Sequence, residues 1–177
     1  NQSQQAPQPQ QAQTAPAPAP AQASLPVFAP SAGRDLTVDT PLYEAVIYSG
    51  GGALRSFKLK KYQVGLVADS PLVNMVDPKT AQVAPLGLVI NSQPSWSTGQ
   101  WSMDTDEKGL TLGQNQQGTL RLIGEVDNLR VVRELTFNAS NYLISEKIRV
   151  TNQGEQARSV RVSYTAAADA SNASGDR

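Results

Sequence analysis

The clearest alternation of hydrophobic and polar positions lies between residues 117 and 138, where Asp127-Asn128 separates two alternating runs. The runs read GTLRLIGEV and LRVVRELTF, and both turn residues tolerate the positive φ of a two-residue hairpin turn. Successive side chains of a strand point to opposite faces, so a period of two indicates strands. The pattern therefore predicts an antiparallel β-hairpin with Asp127-Asn128 at its tip.

The turn also fixes the register of this predicted hairpin, because Val126 then lies opposite Leu129. One face is nearly all apolar and pairs Leu120 with Leu135, Leu122 with Arg133, and Gly124 with Val131. The other face pairs Arg121 with Glu134, Glu125 with Arg130, Thr119 with Thr136, and Ile123 with Val132. A slip of one residue would destroy both patterns. The charges are therefore interpreted as a solvated face, with each pair contributing roughly a few tenths of a kcal/mol, and not as catalytic carboxylates.

Alternation continues downstream of the hairpin. YLISEKIRV places Tyr142, Ile144, Ile148 and Val150 on one face together with Glu146, and ARSVRVSY places Val160, Val162 and Tyr164 on one face. Short polar loops at 138–141 and 152–156, the second with a turn-forming Gly154, join these runs. Consecutive strands joined by short loops predict an antiparallel meander that runs from the hairpin to the last strand.

The upstream half predicts further short strands. Its candidate strands are LTVD, YEAVIY, SFKLK, LVNMV, LGLVI and LTL, and no segment longer than a few residues has a helical period. About ten such strands are too many for one flat sheet, so two packed sheets or a strongly curved sheet are expected. The predicted fold class is all-β.

Three glycines, Gly50 to Gly52, stand between the strand that ends near Tyr48 and the strand that begins near Ala53. They predict a tight hairpin or bulge, where glycine adopts positive φ without a Cβ penalty. A phosphate-binding loop would need a following helix or Gly-Lys-Ser/Thr, and neither follows here.

The basic residues after this turn, Arg55, Lys58, Lys60 and Lys61, are interpreted as a solvated sheet edge. Nucleic acid is not expected as a partner, because the net charge is zero and no module of alternating aromatic and basic residues is visible.

Composition divides the chain into two parts. Residues 1–33 carry no charge, contain seven of the twelve prolines and offer few large apolar side chains, so they predict a disordered Gln/Pro/Ala-rich tether. Residues 34–177 predict one folded domain. The chain has no cysteine and no histidine, which removes the usual nucleophile, zinc ligand and general base at neutral pH. We therefore expect no enzyme, no cofactor, no metal site and no catalytic residue.

Three stretches of the chain resemble the periplasmic domain of the YidC family of Gram-negative membrane protein insertases. They are the tether, LTVDTPLYEAVIYSGGGALRSFKLKKY and LRVVRELTFNASNYLISEKIRVTNQGEQ. In that family, a strand pair around a Gly-Gly turn is followed by Leu-x-x-Tyr, and Leu59-Lys60-Lys61-Tyr62 matches this pattern. Tyr142 and Asn152-Gln153-Gly154 match a later strand and hairpin. The resemblance covers roughly residues 35–165 and rests on the order and spacing of turn and core residues.

The resemblance implies an antiparallel β-supersandwich similar to galactose mutarotase. The domain is expected to be incomplete at its C-terminal end, where TAAADASNASGDR resembles part of a loop. It also implies a transmembrane helix before Asn1, a place on the periplasmic side of the bacterial inner membrane, and a non-catalytic role in membrane protein insertion and folding. The implied partners are Sec translocon components and nascent inner-membrane proteins, and insertion would proceed with or without the translocon. The family's insertase groove lies outside this chain, so no site residue is carried over.

Two alternatives remain open. A carbohydrate-binding sandwich would use Trp96 and Trp101 for stacking, although tryptophans flanking a Gly turn more often cover a sheet edge or core. A carboxylate-dependent glycosidase would need two acids facing a cleft, and Asp104, Asp106 and Glu107 are the candidates. A polar turn explains these three acids with fewer requirements.

Overall fold

The computed structural model describes residues 33–167. The predicted tether, except for Gly33, and the tail from residue 168 onward therefore lie outside the described residues. Within residues 33–167, no helix has the length and apolar character required to cross a membrane.

The described residues form twelve strands and two single helical turns. The strands are β1 (Asp35–Asp39), β2 (Tyr43–Tyr48), β3 (Ala53–Gln63), β4 (Leu72–Asn74), β5 (Leu88–Ile90), β6 (Gln93–Pro94), β7 (Gln100–Met103), β8 (Gly109–Thr111), β9 (Gln117–Val126), β10 (Leu129–Asn138), β11 (Ile144–Asn152) and β12 (Val162–Tyr164). The helical turns are a 3₁₀ turn at Thr80–Val83 and α1 at Ser95–Thr98.

These strands assemble into three sheets. The first has the order β4-β3-β2-β1-β8, the second β11-β10-β9-β7 and the third β12-β5-β6. All strand pairs are antiparallel except β1 and β8, where Val38 lies beside Leu110 in a parallel pair. Before β8 joins the edge of β1, the chain passes through β5 and β6 of the third sheet and β7 of the second.

The main core lies between the first and second sheets. Leu36, Val38 and Ile47 of the first sheet form one buried cluster with Leu120 and Leu135 of the second. Two inward faces that share one core make a sandwich. The predicted all-β sandwich is therefore confirmed.

The predicted hairpin is confirmed residue by residue. Every partner follows the predicted register, from Val126 opposite Leu129 to Thr119 opposite Thr136. Asp127 and Asn128 have φ values of 51° and 57°, as a two-residue turn requires. On the solvated face, the hydroxyls of the two threonines lie 3.0 Å apart.

The glycine turn is also confirmed. Gly51 and Gly52 have φ values of 100° and 78°, and the Gly52 amide donates to the Tyr48 carbonyl at 2.9 Å. Tyr48 then pairs directly with Ala53, so the glycines close the hairpin of β2 and β3.

The predicted meander is correct for β9, β10 and β11 and wrong for β12, which pairs with β5 in the third sheet. The connection over residues 153–161 is long enough to leave the second sheet, and Arg158 holds it by donating to the carbonyl and carboxylate of Asp127. Because β12 lies on the outside of the third sheet, Val160, Val162 and Tyr164 remain 38%, 39% and 52% exposed.

Candidate functional site: an apolar groove

The most developed concavity in the described part of the chain is a groove of about 640 Å³ beside the outer strands of the first sheet. One wall comes from β3 and the segment after β4, and the other comes from the residues that lead into β11. The lining residues are Leu54, Phe57, Leu59, Tyr62, Met75, Val76, Pro85, Leu86, Tyr142, Leu143, Ile144, Thr165, Ala166 and Ala167. None of these side chains is charged, so the groove suits an apolar ligand.

Aromatic rings form the floor and one rim of this groove. Tyr43 stacks on Phe57 with ring centroids 4.7 Å apart, and Tyr62 lies 6.3 Å from Tyr142. Burial raises the pKa of Tyr43, whose hydroxyl donates to the Asn138 carbonyl at 3.3 Å. The pKa of Tyr142 is raised mainly by desolvation and to a smaller extent by the neighbouring Tyr62. The raised pKa values keep Tyr43 and Tyr142 protonated at neutral pH.

The mouth of the groove is unusually apolar for a protein surface. Met75 and Leu143 are 65% and 68% exposed, and Tyr62 is 54% exposed. Isolated apolar residues on a surface are ordinary, but several that rim one concavity indicate a binding surface. The sequence did carry a signal, since Tyr142, Leu143 and Ile144 are three consecutive apolar residues that break the strand alternation.

Behind the groove lies a buried ion pair that the sequence did not predict. The Arg133 side chain is fully buried, and its Nε lies 2.5 Å from Oε1 of Glu146. Arg133 also donates to the carbonyls of Gly51 and, at 2.9 Å, Leu86. The arginine thus joins the glycine turn of the first sheet, the loop before β5 and the second sheet.

Tyr164 extends this pair into the third sheet by donating its hydroxyl to Oε2 of Glu146 at 2.8 Å. Burial and this hydrogen bond raise the pKa of Tyr164 to about 12. The sequence placed Arg133 and Glu146 on apolar strand faces, where either charge alone would be unfavourable. The structure explains them as partners across neighbouring strands.

The two tryptophans lie against the core. Trp96 is 3% exposed in α1 and belongs to a cluster with Tyr48 and Ala53. Trp101 donates its indole N–H to the Ser95 carbonyl at 2.8 Å and packs partly buried against the core. The interpretation of the tryptophans as residues that cover a sheet edge or core is confirmed.

The three candidate acids, Asp104, Asp106 and Glu107, are exposed on the loop between β7 and β8. Arg34 holds this loop through the carbonyls of Thr105 and Glu107, at 2.6 and 2.5 Å, and not through the carboxylates. In the stretch from residue 33 to residue 167, no cluster of three or more acidic, cysteine or histidine side chains could hold a metal ion. The loop therefore has the structure of the polar turn that the sequence favours.

The basic residues of β3 were predicted at a sheet edge, and this placement is wrong, because β3 lies between β2 and β4. Their side chains instead reach the solvated side of the sheet. Lys58 and Lys60 contact Glu44 and Asp39 at 3.2 and 2.5 Å. Arg55 contacts Asp35 at 3.0 Å, and Lys61 is exposed.

The fold and the groove together define a β-sandwich domain that displays an open apolar binding surface. The chain belongs to the YidC periplasmic domain family, whose model matches residues 35–176. The periplasmic assignment and the relationship to a membrane protein insertase made from the resemblance are therefore confirmed.

Several relatives carry the name membrane protein insertase YidC. The protein of Nitratidesulfovibrio vulgaris (strain DSM 19637 / Miyazaki F) is 54% identical over 144 residues, which are 81% of this chain and 26% of the relative. The protein of Oleidesulfovibrio alaskensis is 44% identical over 138 residues, 78% of this chain and 25% of the relative. The protein of Syntrophus aciditrophicus is 31% identical over 135 residues, 75% of this chain and 25% of the relative. The chain thus spans about a quarter of the length of these relatives.

Proposed function

We propose that this chain is a non-catalytic periplasmic module of an inner-membrane protein insertase, and that its apolar groove contacts apolar segments of membrane proteins during insertion. The observation that carries the proposal is the groove itself, whose lining residues include no charged side chain. Relatives named as membrane protein insertases handle clients rich in apolar segments, which matches the chemistry of the lining.

The groove suits transient contact better than tight capture. Burying one leucine-sized side chain contributes about 1.5–3 kcal/mol, and association entropy opposes much of the gain from a few such contacts. A weak, non-directional surface would accept many different sequences and then release them. The polar side-chain groups on this lining are the hydroxyls of Tyr62, Tyr142 and Thr165, and no charged side chain lies there to select one client.

Two finer features belong to the same proposal. Sec translocon components are proposed partners of the whole insertase, and the full-length protein is proposed to be tethered to the inner membrane. Carbohydrate binding has no observation in its favour at Trp96, which is buried.

Photo-crosslinking in the full-length insertase tests the groove. A photoreactive phenylalanine at Leu143 is expected to crosslink a ribosome-bound membrane protein chain during insertion, because this side chain is 68% exposed at the groove mouth. The control is the same group at Glu155, an exposed position beyond the far end of β11. Equal crosslinking at both positions, or none at Leu143, would overturn the assignment of the groove.

Deletion tests the accessory role. A full-length variant that lacks most of residues 35–165 is expected to keep part of its insertion activity, since the resemblance places the insertase groove elsewhere. Complete loss of insertion at normal membrane levels would contradict this role. Turnover of a sugar by the purified protein would contradict the non-catalytic assignment.

A further inference from the structure

The hairpin of β3 and β4 ends in a loop with its own internal structure. Gln63 pairs with Leu72 at the base of the loop. The Val64 amide then donates to the Pro71 carbonyl at 2.9 Å, and Ser70 closes a turn onto the Val67 carbonyl at 2.9 Å. The loop is therefore held in one shape by backbone hydrogen bonds.

This shape turns apolar side chains outward. Leu66 is completely exposed, and Val64 and Val67 are 72% and 73% exposed. Because the hydrogen bonds of the loop hold its backbone, the outward direction of these side chains is a property of the fold. A protruding apolar tip differs from the groove, which is concave, and the three residues do not line the groove.

The base of the tip has a different character. Tyr62, at the end of β3, is 54% exposed, and Lys61 beside it is exposed as well. Asp69 is the single acidic residue between positions 61 and 76. Aliphatic side chains at the tip with tyrosine and lysine at the base are the arrangement expected at a membrane interface, where aromatic rings and ammonium groups lie among the headgroups.

We propose that the tip formed by Val64, Leu66 and Val67 inserts into the surface of an anionic lipid bilayer. The proposal goes beyond client binding in the groove and concerns a separate set of side chains. A bilayer fits this surface better than a folded protein, because the tip is convex and its three most exposed side chains are aliphatic. Membership in a family of periplasmic domains of membrane proteins brings a bilayer within reach of the tip.

Insertion of this tip would orient the domain. A single contact point on the β3–β4 hairpin, combined with the groove beside the same strand, would hold the groove mouth close to the lipid surface. An apolar segment that enters or leaves the bilayer would then meet the groove without a long passage through water.

The test uses the full-length protein in nanodiscs of phosphatidylethanolamine and phosphatidylglycerol. Because the present chain contains no cysteine, Leu66→Cys in an otherwise cysteine-free protein places one environment-sensitive NBD dye at the tip. We expect blue-shifted emission that lipids with a nitroxide on the acyl chain quench. The matched control is Glu155→Cys with the same dye, which is expected to give emission typical of water and little quenching.

A second variant separates insertion of the tip from the affinity of the dye for lipid. The dye is moved to Val64→Cys, and Leu66→Asp with Val67→Asp is added on these exposed positions, where folding should be unaffected. Lipid quenching is expected to fall at least about threefold, because two charges oppose entry into the interface. Unchanged quenching would overturn the proposal.

Two other results would also overturn it. Emission typical of water at Leu66 would place the tip in solvent, and blue-shifted emission without lipid quenching would mean that protein covers the tip. Neither result would affect the crosslinking test of the groove, so failure of the membrane anchor and failure of the proposed function are distinguishable.

Discussion

Arg133 and Glu146 form an ion pair between β10 and β11 in which the arginine is fully buried and the glutamate side chain is 10% exposed. Removing one member of such a pair leaves the other charge without compensation. We expect Arg133→Met to lower the free energy of unfolding of the chain by about 3–5 kcal/mol. Urea unfolding would measure this loss.

The double variant Arg133→Met/Glu146→Leu provides the internal control. It should cost less than the sum of the single variants, because no charge is left buried. Arg121→Ala, which breaks a pair whose side chains are 41% and 38% exposed, should cost at most about 1 kcal/mol. Equal losses for Arg133→Met and Arg121→Ala would contradict a buried role for Arg133.

Gly52→Ala is expected to destabilise the chain by more than 1 kcal/mol. Gly52 has a φ of 78°, and a Cβ there would lie 2.9 Å from a guanidinium nitrogen of Arg133. The substitution would therefore add the roughly 1 kcal/mol cost of a left-handed residue to a displacement of the buried arginine. Thermal unfolding, with Gly154→Ala as the control, tests this expectation. Gly154 has no positive φ and a nearest contact of 3.4 Å, so a similar loss at both positions would argue against the mechanism.

Truncation of core side chains should follow burial in the structure. Leu135 is fully buried in the main core and Phe57 is 7% exposed, so either change to Ala should cost about 2–5 kcal/mol. Ile148, which the alternation of its strand places on an apolar face, is only half-buried because β11 is the outer strand of its sheet. Ile148→Ala should cost less than Leu135→Ala in the same urea titration, and the reverse order would be inconsistent with this packing.

The raised pKa of Tyr164 predicts that the stability of the chain falls at alkaline pH. Its pKa is about 12 in the folded chain and about 10 in an unfolded one, so the unfolded state loses the phenolic proton first. The stabilising contribution is present below pH 10 and is lost as the pH rises toward 12. Urea midpoints measured at several pH values should fall less steeply in this window for Tyr164→Phe than for the unchanged chain. Parallel curves would exclude Tyr164 as the source.

Local patterns predicted β9, β10 and β11 of the second sheet well because these three strands follow each other in the chain. The turn at Asp127-Asn128 sets the register between β9 and β10, and the alternation of charges then leaves one consistent pairing. The same holds for the glycine turn, since Gly51 and Gly52 require positive φ. In both cases the residues that decide the structure are neighbours.

The pairing of β5 with β12 and the parallel addition of β8 to β1 depend on residues far apart, and short alternating runs carry no information on such partners. The sequence did not predict the groove for the same reason, because its lining comes from five segments that are separate in the chain. Arg133 and Glu146 could have been suspected as a pair, since each interrupts an apolar face, but their distance of 13 residues does not reveal which strands are adjacent.

The closure of the third sheet has a consequence for the order of folding. Thr165 exchanges backbone hydrogen bonds with the loop before β5, and it contacts Gly87 across 78 residues of chain. Strands β1 to β3, by contrast, pair with one another within residues 35–63. A polypeptide that emerges N-terminus first can thus assemble an early β-meander. The backbone of Leu88 and Ile90, by contrast, cannot pair with β12 until residues 162–164 have emerged. During that interval the β5 edge is open to pairing with other extended chains, so the domain is most exposed to aggregation before β12 has paired.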